Sequence, residues 1–210
     1  MKKTLVLLLV ALFIPVVANA ALFTLDQTNL SGLTGGPWAT VTLTDTSSGG
    51  KDGVHFVVDP LESAFTTIGP NFGIQTFYFN ENTSFGRQLT LENFDPAGWS
   101  WNYSSSGNAN AGGGFGKFEF IAGGTGSTRA NPLTFDVFAP LGQSLTIENL
   151  SSALSSEGYL FAGHIADFNG GNSAKFATDG VAPVPEPGTM LLLGSGLAGL
   201  VGYGRKRFKR

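Results

Sequence analysis

The sequence predicts an all-β protein: an antiparallel β-sandwich of jelly-roll or Greek-key type, with a separate C-terminal transmembrane helix. Short runs of alternating apolar and polar residues, separated by Gly- and Ser-rich spacers, indicate strands and turns. Sixteen Phe, three Trp and three Tyr in residues 21–183 supply large side chains for a core between two sheets. An uncharged run at 188–204 precedes five positive charges in the last six residues, as in a membrane segment with a stop.

The strands are predicted from side-chain alternation. In residues 39–44, Val41 and Leu43 point to one face while the threonines between them point to the other. Similar alternation predicts strands at 54–58, 74–79, 88–92, 116–121, 133–138 and 159–165. Leu150 and Leu154 are four residues apart and predict one short helix at 148–155.

The N-terminus has the pattern of a secretory signal peptide over residues 1–20. Two lysines precede the apolar run 4–17, and Ala18 and Ala20 form a small-residue cleavage site. We expect the Sec translocon to export the chain and signal peptidase to cleave it after Ala20. Residues 21–180 then form the exported sandwich domain.

The charge and the cysteine content of this domain limit its possible partners and the interactions that can stabilise it. Residues 21–183 carry five Lys and Arg against fourteen Asp and Glu, so the net charge is −9. Nucleic acids bind clustered positive charge, so no nucleic-acid partner is expected. The chain has no cysteine, so stability in an oxidising compartment must come from packing and backbone pairing.

The C-terminal segment contains a glycine pattern, Gly194, Gly196 and Gly199, that matches a dinucleotide fingerprint. Only eleven residues follow it, so no βαβ unit fits. The flanks instead predict a Pro-rich linker at 181–187 and a transmembrane helix at 188–204 of about 25 Å. The basic tail 205–210 stops transfer and stays in the cytoplasm, through Arg205, Lys206, Arg207, Lys209 and Arg210.

The order of these three parts resembles a known sorting signal. Val184-Pro185-Glu186-Pro187, an apolar Gly-rich helix and a terminal basic cluster are similar to the PEP-CTERM signal of exported bacterial proteins. The resemblance implies that an inner-membrane exosortase recognises Pro185, Glu186 and Pro187 and removes the helix and tail. It also implies delivery to the envelope surface or the extracellular biofilm matrix, in association with exopolysaccharide.

The domain contains candidates for two kinds of carbohydrate site. Trp99 and Trp101 are two residues apart and would share a strand face, where they would stack on a sugar if exposed or fill the core if not. Glu119 is a candidate carboxylate for glycan hydrolysis, but Lys117 on the same face makes an exposed ion pair the simpler interpretation. We therefore expect a non-enzymatic protein, with a carbohydrate-binding module as the alternative and a glycan hydrolase as a weaker one.

The domain also contains histidine, aspartate and asparagine residues that are candidate metal ligands. His55 and His164 are interpreted as hydrogen-bonded strand histidines, because the sequence contains no cluster of histidines or cysteines. Calcium is the one cofactor considered, either by Asp45, Asp52 and Asp59 around one loop or by Asp167, Asn169 and Asn172 in another. The alternative is that these residues are turn formers, and no cofactor is then required.

Overall fold

The computed structural model describes residues 20–178. The signal peptide up to residue 19, the linker 181–187, the transmembrane helix 188–204 and the tail 205–210 lie outside the described residues, and those assignments stay predictions. Within 20–178, no helix has the length and apolar character that a membrane crossing requires.

The described residues form thirteen strands, one α-helix and two 3-10 turns at Glu62–Ala64 and Gly86–Gln88. The strands are β1 Ala20–Leu25, β2 Gln27–Thr28, β3 Ala39–Ser48, β4 Lys51–Pro60, β5 Ile68–Phe79, β6 Thr90–Asp95, β7 Ser100–Tyr103, β8 Ala109–Asn110, β9 Lys117–Phe118, β10 Phe120–Gly123, β11 Leu133–Phe138, β12 Phe161–Phe168 and β13 Asn172–Ala177. The helix, α1, spans Ile147–Ser151.

The strands form two main sheets. One has the order β1-β3-β4-β11-β6, the other β2-β13-β12-β5-β10-β7, and β8 and β9 form a separate hairpin. Every strand pair is antiparallel. The all-β antiparallel architecture is confirmed, while its assignment to a jelly-roll or Greek-key type stays a prediction.

Aromatic side chains fill the space between the two main sheets. Phe56 of β4 stacks on Phe135 of β11 with ring centroids 4.7 Å apart. It also contacts Phe77 and Phe161 of the opposite sheet, at 6.1 and 6.2 Å. Because rings from both sheets pack against each other in one buried cluster, the molecule is a sandwich.

Most of the predicted strands coincide with strands of the structure. The predictions at 39–44, 54–58, 74–79 and 133–138 lie within β3, β4, β5 and β11, and those at 88–92 and 159–165 overlap β6 and β12. The predicted helix 148–155 ends earlier, at Ser151. Five strands were not predicted: β1, β2, β7, β8 and β13.

The predicted strand 116–121 is interrupted at Glu119. The residues before it, β9, pair with β8, whereas β10 pairs with β5 and β7. Phe118 consequently joins an apolar cluster with Tyr78 on the outer side of the six-stranded sheet, while Phe120 lies in the core of the sandwich. The chain therefore changes layers at Glu119.

Candidate functional site

The tryptophan pair lies largely inside the sandwich. Trp99 is only 7% exposed, and its indole nitrogen donates a hydrogen bond to the carbonyl of Thr128 at 2.6 Å. Trp101 is half-buried and stacks on Phe120 with ring centroids 6.3 Å apart. The structure therefore supports the core alternative for Trp99, whose face is not accessible to a sugar ring.

The first calcium candidate does not form a site. Asp45 pairs with Val54, and Asp52 pairs with Ser47, near the tip of the β3–β4 hairpin. Asp59 lies seven residues along β4 from Asp52, which is about 23 Å, and its odd spacing places it on the other face of the sheet. The three carboxylates do not converge, and all three lie within β3 and β4, so the turn-former alternative is wrong for them as well.

Asp167 and Asn169 of the second calcium candidate form hydrogen bonds to neighbouring backbone amides. The carboxylate of Asp167 accepts a hydrogen bond from the Asn71 amide at 2.9 Å. The side-chain oxygen of Asn169 accepts from the amides of Thr66 and Thr67 at 2.8 and 3.2 Å. In the part of the chain that the structure describes, no three His, Asp or Glu side chains are grouped for a metal ion.

The two histidines differ. His55 Nδ1 lies 2.7 Å from Asp136 Oδ1 across the β4–β11 pair, so its interpretation as a hydrogen-bonded strand histidine is confirmed. The backbone of His164 pairs with Thr76 and Lys175, but its imidazole forms no hydrogen bond to a described residue, so the interpretation as a hydrogen-bonded histidine is wrong for this side chain. Burial, followed by the positive charges of Lys175 and Arg129, lowers the His164 pKa to about 4.

A polar cleft of about 510 Å³ lies where the chain changes layers. Its walls come from the ends of β5 and β9, the β7–β8 loop and the segment after α1. They include Asn80, Glu81, Asn82, Ser105, Ser106, Lys117, Glu119, Leu154 and Ser156. This cleft brings two carboxylates together, and it is the candidate site of the domain.

Asn80 creates the break in the strand beside the cleft. It is buried at the end of β5, and its side-chain oxygen accepts a hydrogen bond from the backbone amide of Glu119 at 2.7 Å. An amide that pairs with a side chain cannot also pair with a neighbouring strand. The Glu119 carboxylate is thereby held at the junction between β9 and β10.

The two carboxylates of the cleft have different roles. Glu81 accepts hydrogen bonds from the amide and hydroxyl of Thr83, and from the Gly86 amide at 3.0 Å, so both of its oxygens tie down the following loop. Glu119 Oε2 is buried and has no hydrogen-bond partner among the described residues. Glu119 is therefore the carboxylate available to a ligand.

The surroundings of Glu119 also change the pKa of its carboxyl group. Burial raises the pKa of Glu119, repulsion from Glu81 adds to the rise, and a hydrogen bond from the Glu81 backbone opposes it. Burial also raises the pKa of the nearby Tyr103, helped by the charges of Glu119 and Glu81. The expected ion pair with Lys117 is wrong: no nitrogen–oxygen contact within 4 Å joins Lys117 and Glu119, because the strand turns between them.

The cleft lies at the end of the sandwich where the chain leaves the domain. The Thr178 amide donates to the Phe161 carbonyl at 3.1 Å. Phe161 pairs with Phe79, which in turn pairs with Phe120. Three strand spacings, about 14 Å, therefore separate the exit point from the strand that follows Glu119.

These features define an antiparallel β-sandwich domain with a polar cleft at the end where the described chain stops. The family model of the PEP-CTERM protein-sorting motif matches residues 183–207, which begin five residues after Thr178. The chain therefore carries a PEP-CTERM sorting signal, as the resemblance indicated, and this signal implies export and processing by an exosortase. Neither a curated protein nor a solved structure matches the chain.

Proposed function

We propose that this is a non-enzymatic protein of the cell surface or extracellular matrix, associated with exopolysaccharide. The observation that carries the proposal is the sorting motif at 183–207, placed directly after a folded domain. The C-terminal helix acts as a temporary membrane anchor. Exosortase processing at the Pro185-Glu186-Pro187 segment then separates the domain from the anchor.

The short connection between domain and motif supports this role. Six residues lie between Thr178 and Pro185. At about 3.3 Å per residue the seven steps span at most roughly 23 Å. The folded domain is thus held close to the membrane until the chain is cut, and it is then free to reach the matrix.

A non-enzymatic role is supported by the state of the two carboxylates. Glycoside hydrolysis commonly requires two carboxyl groups, one as acid and one as base or nucleophile. Glu81 is occupied by Thr83 and Gly86, which leaves Glu119 as the single carboxylate facing a ligand. A binding role for the cleft needs no second carboxylate.

The sorting proposal is tested by replacing Pro185, Glu186 and Pro187 with alanine in the full chain. We expect a full-length, membrane-retained species on immunoblots of membrane and medium fractions. Replacing Asp179, Gly180 and Val181 with alanine is the matched control, and this variant should be processed like the wild type. Release of the first variant at the wild-type rate would contradict the proposal.

A carbohydrate-binding module is the second candidate function. The tryptophan pair does not favour it, because Trp99 is buried. The cleft does favour it, since concave sites with a few unpaired polar groups are the usual form of small-ligand sites.

A further inference from the structure

The cleft beside Glu119 has the composition of a ligand site. Its volume of about 510 Å³ falls within the roughly 300–1,000 Å³ that small-molecule sites span. One wall is apolar and is formed by Ala153 and Leu154, and Leu154 is 48% exposed. The other walls carry hydroxyl, amide, ammonium and carboxylate groups.

Glu119 Oε2 is the feature that the fold itself does not explain. A buried polar atom without a partner costs free energy, and most such atoms in folded proteins are paired. The cost is larger for a carboxylate, and the raised pKa of Glu119 has the same physical origin. A hydroxyl or amine donor that reaches the Glu119 carboxylate from the cleft would offset part of this cost.

Lys117 supplies the opposite hydrogen-bonding capacity in the same cleft. Its backbone is held by a hydrogen bond from its amide to Ser156 Oγ at 3.0 Å, while its side chain is exposed and forms no ion pair with a described residue. Its ammonium group only donates hydrogen bonds, and the Glu119 carboxylate mainly accepts them. Neighbouring hydroxyls of a sugar ring can both donate and accept, so they match this pair.

We propose that the cleft binds a hexopyranose unit of a neutral polysaccharide. One sugar hydroxyl donates to the Glu119 carboxylate, another accepts from Lys117 Nζ, and the C–H face of the ring packs on Leu154. This inference rests on the proposed association with exopolysaccharide and gives it a site. An acidic sugar is disfavoured because Glu81 and Glu119 would repel its carboxylate.

The test uses the full chain, purified in a detergent without a sugar headgroup. The probe is the neutral fraction of the extracellular polysaccharide from the cells that make the protein, cast into native gels at graded concentrations. We expect the wild type to be retarded in proportion to polysaccharide concentration. Glu119→Ala and Lys117→Ala should each raise the apparent Kd at least about tenfold.

Glu92 and Lys51 provide the matched controls, because they form an exposed acid–base pair at 3.3 Å on the other sheet. Glu92→Ala and Lys51→Ala should leave the retardation unchanged. Lys117 is exposed, so Lys117→Ala keeps the test valid if Glu119→Ala unfolds. An unretarded wild type, or a retardation that Lys117→Ala leaves unchanged, would overturn the assignment.

Gel retardation measures polysaccharide binding, whereas processing of the chain measures sorting. A wild-type protein that is processed normally but is not retarded by the polysaccharide would refute the sugar site and leave the sorting proposal standing. Conversely, unchanged release of the alanine variant at 185–187 would refute sorting without affecting the gel assay.

Discussion

His164 of β12 lies directly opposite Lys175 of β13 on the outer side of the six-stranded sheet. Burial lowers the pKa of both side chains, and the charge of Lys175 lowers that of His164 further, to about 4. His164 is therefore neutral in the folded protein between about pH 4 and pH 6.5, where an unfolded histidine would be protonated.

This arrangement predicts an acid-sensitive contribution to stability. A base whose pKa is lower in the folded state binds more protons when unfolded, so its contribution is present above about pH 6.5 and is lost as the pH falls toward 4. The wild type loses unfolding free energy between pH 6.5 and pH 4, and His164→Gln should make this loss smaller by about 1 kcal/mol. This value includes a reduction for solvent screening. Urea unfolding at several pH values measures the effect.

His55→Gln is the control for that experiment, because His55 is paired with Asp136 rather than facing a lysine. This variant removes a histidine without changing the pair formed by His164 and Lys175. If His164→Gln retains the full wild-type loss of stability between pH 6.5 and 4, the histidine is not its source.

The core prediction concerns Phe56, which is fully buried and stacks on Phe135. Phe56→Ala should lower the free energy of unfolding by about 3–5 kcal/mol, since it removes apolar contacts and leaves a cavity. Phe94 stacks on the same Phe135 at 5.3 Å but is only half-buried, so Phe94→Ala should cost distinctly less. Equal losses in denaturant melts would argue against this account of the core.

How far the sequence predicts the fold depends on what each strand must bury. In β3 and β4, buried residues alternate with partly buried ones, so the alternation is visible in the sequence. In β13 it is weaker, because Asn172 and Ser173 begin the strand and neither favours β-structure strongly. β1 begins at Ala20, where the signal-peptide pattern dominates the sequence.

The site was less predictable than the fold. Alternation at residues 116–121 predicts that Lys117 and Glu119 share a face, as they would on an unbroken strand. The break comes from Asn80, 39 residues earlier, whose side chain takes the Glu119 amide. A hydrogen bond between distant segments leaves no periodic signal, so the cleft is visible only in three dimensions.

The third prediction tests whether Asn169 stabilises its loop through hydrogen bonds or binds calcium. Its φ of 47° suits asparagine, and its side chain holds the amides of Thr66 and Thr67. Asn169→Ala should cost about 1–3 kcal/mol, whereas Asn169→Asp keeps an acceptor and should cost less. Thermal melts measure both variants.

The same melts are to be run with millimolar calcium and with EDTA. Because the oxygens of Asp167 and Asn169 already accept backbone hydrogen bonds, neither addition should shift the wild-type Tm by more than about 1 °C. A clear rise with calcium would show that the loop rearranges to bind the ion.

The last prediction concerns Glu119, whose buried carboxylate lowers the stability of the folded domain. Burial raises the pKa of Glu119, so the folded state favours its protonated form, and stability is lost as the pH rises through the folded pKa. Glu119→Gln is neutral and of similar shape, so it should raise the Tm at pH 7 by a few degrees, and the gain should vanish at acid pH. Glu92→Gln, on an exposed carboxylate, should show no such pH-dependent gain.

A residue that destabilises its own domain is a mark of a binding site, so stabilisation at pH 7 together with weakened polysaccharide retardation is the expected pair of results. A variant that is no more stable than the wild type at pH 7 would mean that the Glu119 carboxylate is adequately solvated where it lies.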